Sequence, residues 1–186
     1  MNNSLNLNGK TIILTGASGY FGQALTISFI NFGAKVIAIS RSQSDTLDSI
    51  ALKQSKNLDI YNCDLEDVES RRNLCEELLT SYKKVDGLIN NAYSGTVGDI
   101  DSIEEIDFLN ATKLNLSAPF DLVKRLLPLL VRNINRGEDF SSVVNVASVY
   151  GKLSPLKNLY TEKTSINPIH YGSAKAGLIQ MTKYFS

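Results

Sequence analysis

Residues 10–15 read K-T-I-I-L-T, an aliphatic and β-branched run with no polar alternation, and residues 35–39, K-V-I-A-I, repeat the pattern. Short runs that are apolar on both faces predict strands buried on both sides, as in a parallel sheet. Between them, residues 22–32 carry Leu25, Phe29 and Phe32 at helical spacing, and Gly33 follows where a C-cap is expected. The first unit is strand, helix, strand. Residues 58–63 predict a third strand, 68–82 a helix carrying Leu74, Leu78 and Leu79, and 85–90 a fourth strand. A long helical stretch over about 103–133, a fifth strand at 142–147, a loop and a last helix from about Tyr171 complete the pattern. Five strands separated by helices predict an α/β fold, a Rossmann-type doubly wound parallel sheet with right-handed crossovers, as a single domain over 1–186.

A chain of 186 residues, 43% hydrophobic and 20% charged, suits one folded core and excludes disorder and coiled coil. Nineteen basic residues balance nineteen acidic ones, so no net field recommends nucleic acid or an anionic membrane as partner. The most apolar stretch, 122–131, is interrupted by Lys124, Arg125 and Pro128, which argues against a membrane span. The start, M-N-N-S-L-N-L-N-G-K, has neither a basic nor an apolar leader region, and a cytoplasmic location is expected. Cys63, Cys75 and the single histidine, His170, lack metal-ligand spacing, so free thiols and no metal are expected.

Three candidate features carry chemistry. In T-G-A-S-G-Y-F-G, residues 15–22, three glycines sit three apart between a strand and a helix. Gly16 suits a tight turn with positive φ, Gly19 a close approach to a pyrophosphate, and Gly22 close packing of helix on strand. Tyr171 and Lys175 are four apart, so on a helix they share a face. Pro119 lies four residues after Asn115 and has no N–H, so in an α-helix the Asn115 carbonyl would lose its usual donor and stand free for water. Phe120, Leu126, Leu127 and Leu130 on that helix are expected to pack in the core or against a partner helix. His170, beside Asn167 and Pro168, is expected to be solvated or locally bonded and not catalytic.

At these residues the chain resembles the short-chain dehydrogenase/reductase family. The blocks are T-G-A-S-G-Y-F-G, C-D-L at 63–65, N-N-A at 90–92, and Ser148 with Y-G-S-A-K at 171–175. The tail from Tyr171 also resembles a branch associated with bacterial sialic-acid-like sugar and flagellin modification. The resemblance implies an NAD(P)-dependent oxidoreductase that moves hydride between nicotinamide and a carbonyl or alcohol substrate, with a sugar derivative as one candidate. It implies cofactor contacts from Gly16, Ser18, Gly19, Tyr20, Phe21, Gly22, Arg41, Asp64, Leu65, Asn91 and Ala92, with Asp64 and Leu65 at the adenine. A helix N-cap is the competing role for Asp64. Catalysis would fall to Tyr171, Lys175, Ser148 and Asn115, with Tyr171 and Lys175 also touching the cofactor. A free tyrosine titrates near ~10, and an ammonium beside a phenol favours the phenolate. That is the role the resemblance gives Lys175, while Ser148 donates to the substrate oxygen and the Asn115 carbonyl holds a relay water.

Several departures qualify the expectation. Tyr93 stands where the family usually has glycine. Ser148 and Tyr171 lie further apart than is usual, and the extra segment suggests either a lid or substrate wall, whose Lys152, Lys157 and Lys163 would favour an anion, or a solvated loop. Ser40 occupies the place of an acidic residue that would hold a ribose hydroxyl, and Arg41 follows, so NADP(H) is expected over NAD(H). The glycine spacing is closer to the extended, sugar-nucleotide branch. A nucleotide-sugar epimerase or dehydratase is therefore one alternative, and a non-catalytic nucleotide-binding protein another. A homodimer or homotetramer through helices at 103–133 and 171–186 is expected. Ala174, Leu178, Met181 and Phe185 form a stripe that would need cover. The family's last strands and substrate loop would follow Ser186, so a C-terminally incomplete domain and a weak catalyst are expected.

Overall fold

The computed structural model describes residues 6–54, 56–131, 141–161 and 166–186. One sheet runs in the order β3-β2-β1-β4-β5, built from β1 Thr11–Thr15, β2 Lys35–Ser40, β3 Leu58–Asn62, β4 Gly87–Asn90 and β5 Ser142–Asn145. The registers are parallel: Ile13 faces Ile37 on one side and Leu88 on the other, and Ala38 faces Ile60. Ile13, Leu14, Val36, Ile37, Ala38, Ile39 and Leu88 are fully buried, as unbroken apolar runs require when both faces of a sheet are covered. The chain leaves β1 toward β2 on one side and reaches β4 on the other, so the order reverses between β1 and β4. In an open parallel sheet, ligands bind outside the carboxyl ends of the strands at such a reversal.

The helices are α1 Tyr20–Asn31, α2 Asp45–Gln54, α3 Val68–Ser81, α4 Glu105–Thr112, α5 Ala118–Leu130 and α6 Ile169–Phe185. In α1 the buried face is Gly22, Thr26 and Ile30, while Leu25 and Phe29 are only half-buried and Phe32 is exposed. The apolar spacing therefore misplaces the packed face, because small residues and a Thr26 hydroxyl that donates to the Gly22 carbonyl let this helix come close. Helix α2 was not legible from periodicity. Leu47 is its fully buried residue, Leu52 is exposed, and its available signals were Asp45 and Asp48 in the first turn and Lys53 in the last. Gly33 has φ 91° and closes α1 as expected.

The single long helix expected over 103–133 is instead α4, a π-wound turn at Lys113–Ser117, and α5; residues 132–133 lie outside the described residues. Pro119 falls in the first turn of α5, where its missing N–H is tolerated. In the π turn hydrogen bonds step five residues, as from the Ala118 N–H to the Lys113 carbonyl. Pro119, four residues after Asn115, has no N–H to give the Asn115 carbonyl.

The chain groups into two compact units, Met1–Ala92 with Leu122–Val144, and Tyr93–Asp121 with Asn145–Ser186. The first holds the sheet core. In the second, α6 packs on α4, on the π turn and on a short 3-10 turn at Val149–Gly151. Ala174 and Leu178 are buried there, so the front half of the α6 stripe is already covered, whereas Phe185 is exposed. Leu126 and Leu130 are buried as expected, but Phe120 and Leu127 are exposed. Strand β5 ends the sheet, with Val144 46% exposed.

Candidate active site

The first unit supplies a backbone-built turn between β1 and α1. Gly16 has φ 66°, and a Cβ there would stand 2.8 Å from Ala92 Cα. A Cβ on Gly22 would stand 2.1 Å from the Gly16 carbonyl oxygen, which no side chain can do without moving backbone. Gly19 is the N-cap of α1 with φ −72° and no side-chain cap, and the first turn carries no acidic residue. The leading N–H groups of this helix thus have neither an intrahelical acceptor nor a capping one, as an anion site requires. Tyr20 and Phe21 are exposed, and Ser18, half-buried, has its carbonyl held by the Gln23 amide.

Thr15 organises the other side of this turn. Its buried hydroxyl accepts from the Asn91 and Ala92 N–H groups at 2.9 and 3.0 Å and contacts the Ile89 carbonyl at 3.3 Å. The Asn91 side-chain amide donates to the carbonyls of Thr15 and Gly16 at 3.0 and 3.2 Å. The N-N-A block is therefore tied to the glycine turn, and Thr15, which sequence reasoning passed over, is the knot. Its signal was position: a hydroxyl at the last residue of β1, immediately before the first glycine.

At the end of β2, Ser40 is buried and its hydroxyl donates to the Ser42 carbonyl, while Arg41 is exposed. Asp64 follows β3, is exposed, and accepts from the Glu66 N–H at 3.0 Å. It does not cap a helix: the N-cap of α3 is Asp67, whose carboxylate accepts from the Glu69 and Ser70 N–H groups. Leu65 is buried and its carbonyl accepts from the Arg71 guanidinium. Cys63 and Cys75 are buried and not joined in a disulfide, and burial raises the Cys63 thiol above its ordinary range. Among the described residues no His, Cys, Asp and Glu group could hold a metal, and no helix is long and apolar enough to cross a membrane.

The second unit brings Tyr171, Lys175 and Ser148 onto one packed assembly. Helix α6 starts at Ile169, two residues before the sequence boundary, so Tyr171 sits in its first turn and Lys175 one turn on. The Lys175 Nζ lies 5.7 Å from the centre of the Tyr171 ring and donates to the Val146 carbonyl at 2.6 Å. Lys175 is 3% exposed, and burial pushes its ammonium below the ordinary lysine range. Ser148 caps the 3-10 turn by accepting from the Tyr150 N–H at 3.2 Å, which leaves its hydroxyl proton available to an outside acceptor. Two glycines dock that turn on the helix. A Cβ on Gly151 would stand 2.8 Å from the Lys175 carbonyl carbon, and one on Gly172 would stand 2.9 Å from the Tyr150 carbonyl oxygen.

Asn115 is buried in the π turn, and its side-chain amide donates to the carbonyls of Ser94 and Ala111, both at 2.8 Å. Its side chain thus pins the segment after Tyr93. Tyr93 itself meets Tyr171 edge to face, with ring centroids 5.0 Å apart and an interplanar angle of 83°. His170 departs from expectation: it is a fully buried helical residue, and neither ring nitrogen has a hydrogen-bond partner among the described residues. Of the lysines in the extra segment, Lys152 is exposed, and Lys163 lies outside the described residues.

The short chain dehydrogenase family model matches residues 10–186. The chain is 30% identical over 181 residues to the 3-oxoacyl-(acyl-carrier-protein) reductase of Thermotoga maritima, covering 96% of this chain and 68% of that protein. It is 28% identical over 184 residues to the 7alpha-hydroxysteroid dehydrogenase of Bacteroides fragilis, covering 95% of this chain and 64% of that enzyme. Among solved structures it resembles an RhlG/NADP active-site complex from Pseudomonas aeruginosa, with a TM-score of 0.83 and 26% identity over 100% of this chain and 69% of that one.

Proposed function

The chain belongs to the short-chain dehydrogenase/reductase family, and from that premise we propose that it interconverts a carbonyl and an alcohol with Tyr171 as the acid/base group. The observation that carries this reading is the buried Lys175 ammonium held on the Tyr171 ring side of α6 by the Val146 carbonyl. A bound nicotinamide dinucleotide supplies or takes up the hydride. The chain's own residues handle the proton: the Tyr171 hydroxyl gives it to, or takes it from, the substrate oxygen, and Ser148 donates a hydrogen bond to that oxygen. The Lys175 ammonium stabilises negative charge as it develops on the phenol oxygen. The glycine turn fits the dinucleotide, because Gly19 leaves the helix N-terminus uncapped and a Cβ there would meet its nearest neighbour at an ordinary 3.4 Å. Ser18, Tyr20, Phe21 and Ala92 would line the phosphate end, with Asp64 and Leu65 at the adenine.

NADP(H) is favoured over NAD(H). Ser40 presents no carboxylate against a 2′-phosphate, and the exposed Arg41 supplies a guanidinium to bind one. The names of the relatives, an acyl-thioester ketone reductase and a steroid alcohol dehydrogenase, support simple oxidoreduction over epimerisation and leave the narrower sugar-modification branch without support. Exposed apolar side chains on α4 (Ile106, Phe108 and Leu109) and on α5 (Phe120 and Leu127) support a homo-oligomer through these helices.

The test is Tyr171→Phe assayed with NADPH and a panel of ketones. Turnover falls by about 10³-fold or more while NADPH still raises the melting temperature. Unchanged turnover removes Tyr171 from the role. Arg41→Ala weakens NADPH binding selectively, and equal loss for both cofactors refutes the preference.

A further inference from the structure

The acid/base reading uses Ser148, Tyr171 and Lys175 and leaves Tyr93, Gly95 and His170 unexplained. His170 is 0% exposed, and neither ring nitrogen has a hydrogen-bond partner among the described residues. A neutral imidazole carries one donor and one acceptor, and each left unmet in the interior costs about 1–3 kcal/mol. Such a group calls for a partner. Gly95 shows where one fits. A Cβ on Gly95 would stand 3.1 Å from the Tyr93 hydroxyl oxygen and 3.3 Å from His170 Nε2. Gly95 is not among the glycines with positive φ, which are Gly9, Gly16, Gly33 and Gly98, so its backbone conformation does not demand glycine. What a side chain at 95 would crowd is the space that the phenol and the imidazole share.

Tyr93 is held at its other end by Tyr171, edge to face at 5.0 Å. Burial, and then the nearby Tyr171 phenol, raise the Tyr93 hydroxyl above its ordinary range, so at neutral pH it keeps its proton and is a donor. The Asn115 amide fixes the chain between these points through the Ser94 carbonyl at 2.8 Å.

We propose that one bound water joins the Tyr93 hydroxyl to His170 Nε2 beside Gly95, and that this bridge makes Tyr93 a positioning residue for Tyr171. The phenol donates to the water and the water donates to Nε2, which leaves the imidazole proton on Nδ1. Tyr93 is then fixed at its hydroxyl by His170 and at its ring by Tyr171, and the Tyr171 ring is restrained at the orientation from which it meets Lys175. The positioning role rests on the proposed acid/base function of Tyr171; the bridge does not.

His170 is the chain's one histidine, so its imidazole nitrogens give an unambiguous signal in long-range proton–nitrogen NMR spectra of the intact protein. The expected wild-type spectrum shows a single neutral tautomer, protonated at Nδ1, with Nε2 displaced toward a hydrogen-bonded acceptor. Tyr93→Phe, which keeps the ring contact, moves Nε2 toward the free-acceptor position. Gly95→Ala, which keeps both side chains but sets a methyl 3.1 Å from the Tyr93 hydroxyl oxygen and 3.3 Å from Nε2, moves it the same way. In turnover, Tyr93→Phe lowers kcat by about tenfold with KM unchanged. Unmoved His170 resonances in both variants overturn the bridge, and moved resonances with unchanged kcat overturn the positioning role. An inert wild-type protein whose His170 resonances still move upholds the bridge and strikes the acid/base reading instead.

Discussion

The two units solve the problem of presenting polar groups in opposite ways. The first presents backbone: the glycine turn, the uncapped start of α1 and the Asn91 and Ala92 N–H groups are positioned by the sheet and tied by Thr15. The second presents side chains, and leaves buried ones waiting: Asn115 Oδ1, Asn167 Oδ1 and both His170 nitrogens have no partner among the described residues. A backbone site is rigid and cheap to hold, because its shape is the fold's own hydrogen-bond ladder. A site made of buried side chains carries desolvation cost until water or ligand completes it. Substitutions in the first unit should therefore damage binding through geometry, and those in the second should damage chemistry while binding survives.

The sharpest break is Lys175→Met. Turnover falls by at least about 10²-fold, with NADPH-induced stabilisation retained. A second readout follows from titration. The folded-state pKa of Lys175 lies below its unfolded value, so between the two the unfolded chain binds more protons and stability rises with pH. Wild type should gain stability relative to Lys175→Met as pH climbs toward ~10.4, the ordinary lysine value. Parallel stability curves for the two proteins contradict the buried, discharging ammonium.

In the first unit the same logic separates two glycines. Gly22→Ala places a Cβ 2.1 Å from the Gly16 carbonyl oxygen and 2.8 Å from Ala17 Cα, so backbone must shift. Both stability and nucleotide affinity fall, affinity by about 10²-fold for a loss near 3 kcal/mol. Gly19→Ala meets its nearest atom at 3.4 Å with an ordinary φ of −72°, so melting temperature holds while affinity drops. Equal melting temperatures for the two variants would show that the turn is looser than its contacts indicate.

How much of this could be read in the sequence also divides between the units. Strands β1 and β2 and the glycine turn were legible, because continuous burial and positive φ leave marks on residue type: aliphatic runs in one case, glycine in the other. Tyr171 and Lys175 were legible through helical spacing. The face of α1 was not, since Gly22 and Thr26 pack by being small and score as neither apolar nor periodic. The π turn was invisible because a fifth-residue hydrogen bond has no residue signature of its own. His170 was misplaced because polarity argued for solvent, while its burial depends on Tyr93 and Gly95, far away in the chain.

Thr15→Val tests the knot at the end of β1. The substitution keeps shape and removes an acceptor shared by the Asn91 and Ala92 N–H groups in a site 1% exposed. Two half-buried donors losing their partner cost about 2 kcal/mol in urea unfolding. The Asn91 amide loses its fixed setting, so nucleotide affinity falls as well. A stability loss with affinity unchanged would mean that the N-N-A block is structural only.

The smallest effect separates two aspartates three residues apart. Asp67 caps α3 through the Glu69 and Ser70 N–H groups at 3.3 and 3.0 Å, so Asp67→Ala costs about 1 kcal/mol of stability and leaves NADPH affinity alone. Asp64 lies at the carboxyl end of β3, exposed, its carboxylate accepting locally from the Glu66 N–H, so Asp64→Ala changes stability by less than about 0.5 kcal/mol. If Asp64 serves the adenine, as the family pattern implies, its removal weakens NADPH binding several-fold. Urea unfolding and NADPH titration on the pair of variants thus read opposite columns: one aspartate moves stability only, the other affinity only. A result in which Asp64→Ala moves neither would take the carboxylate out of the nucleotide site and leave the first unit to recognise the pyrophosphate through backbone and the 2′-phosphate through Arg41.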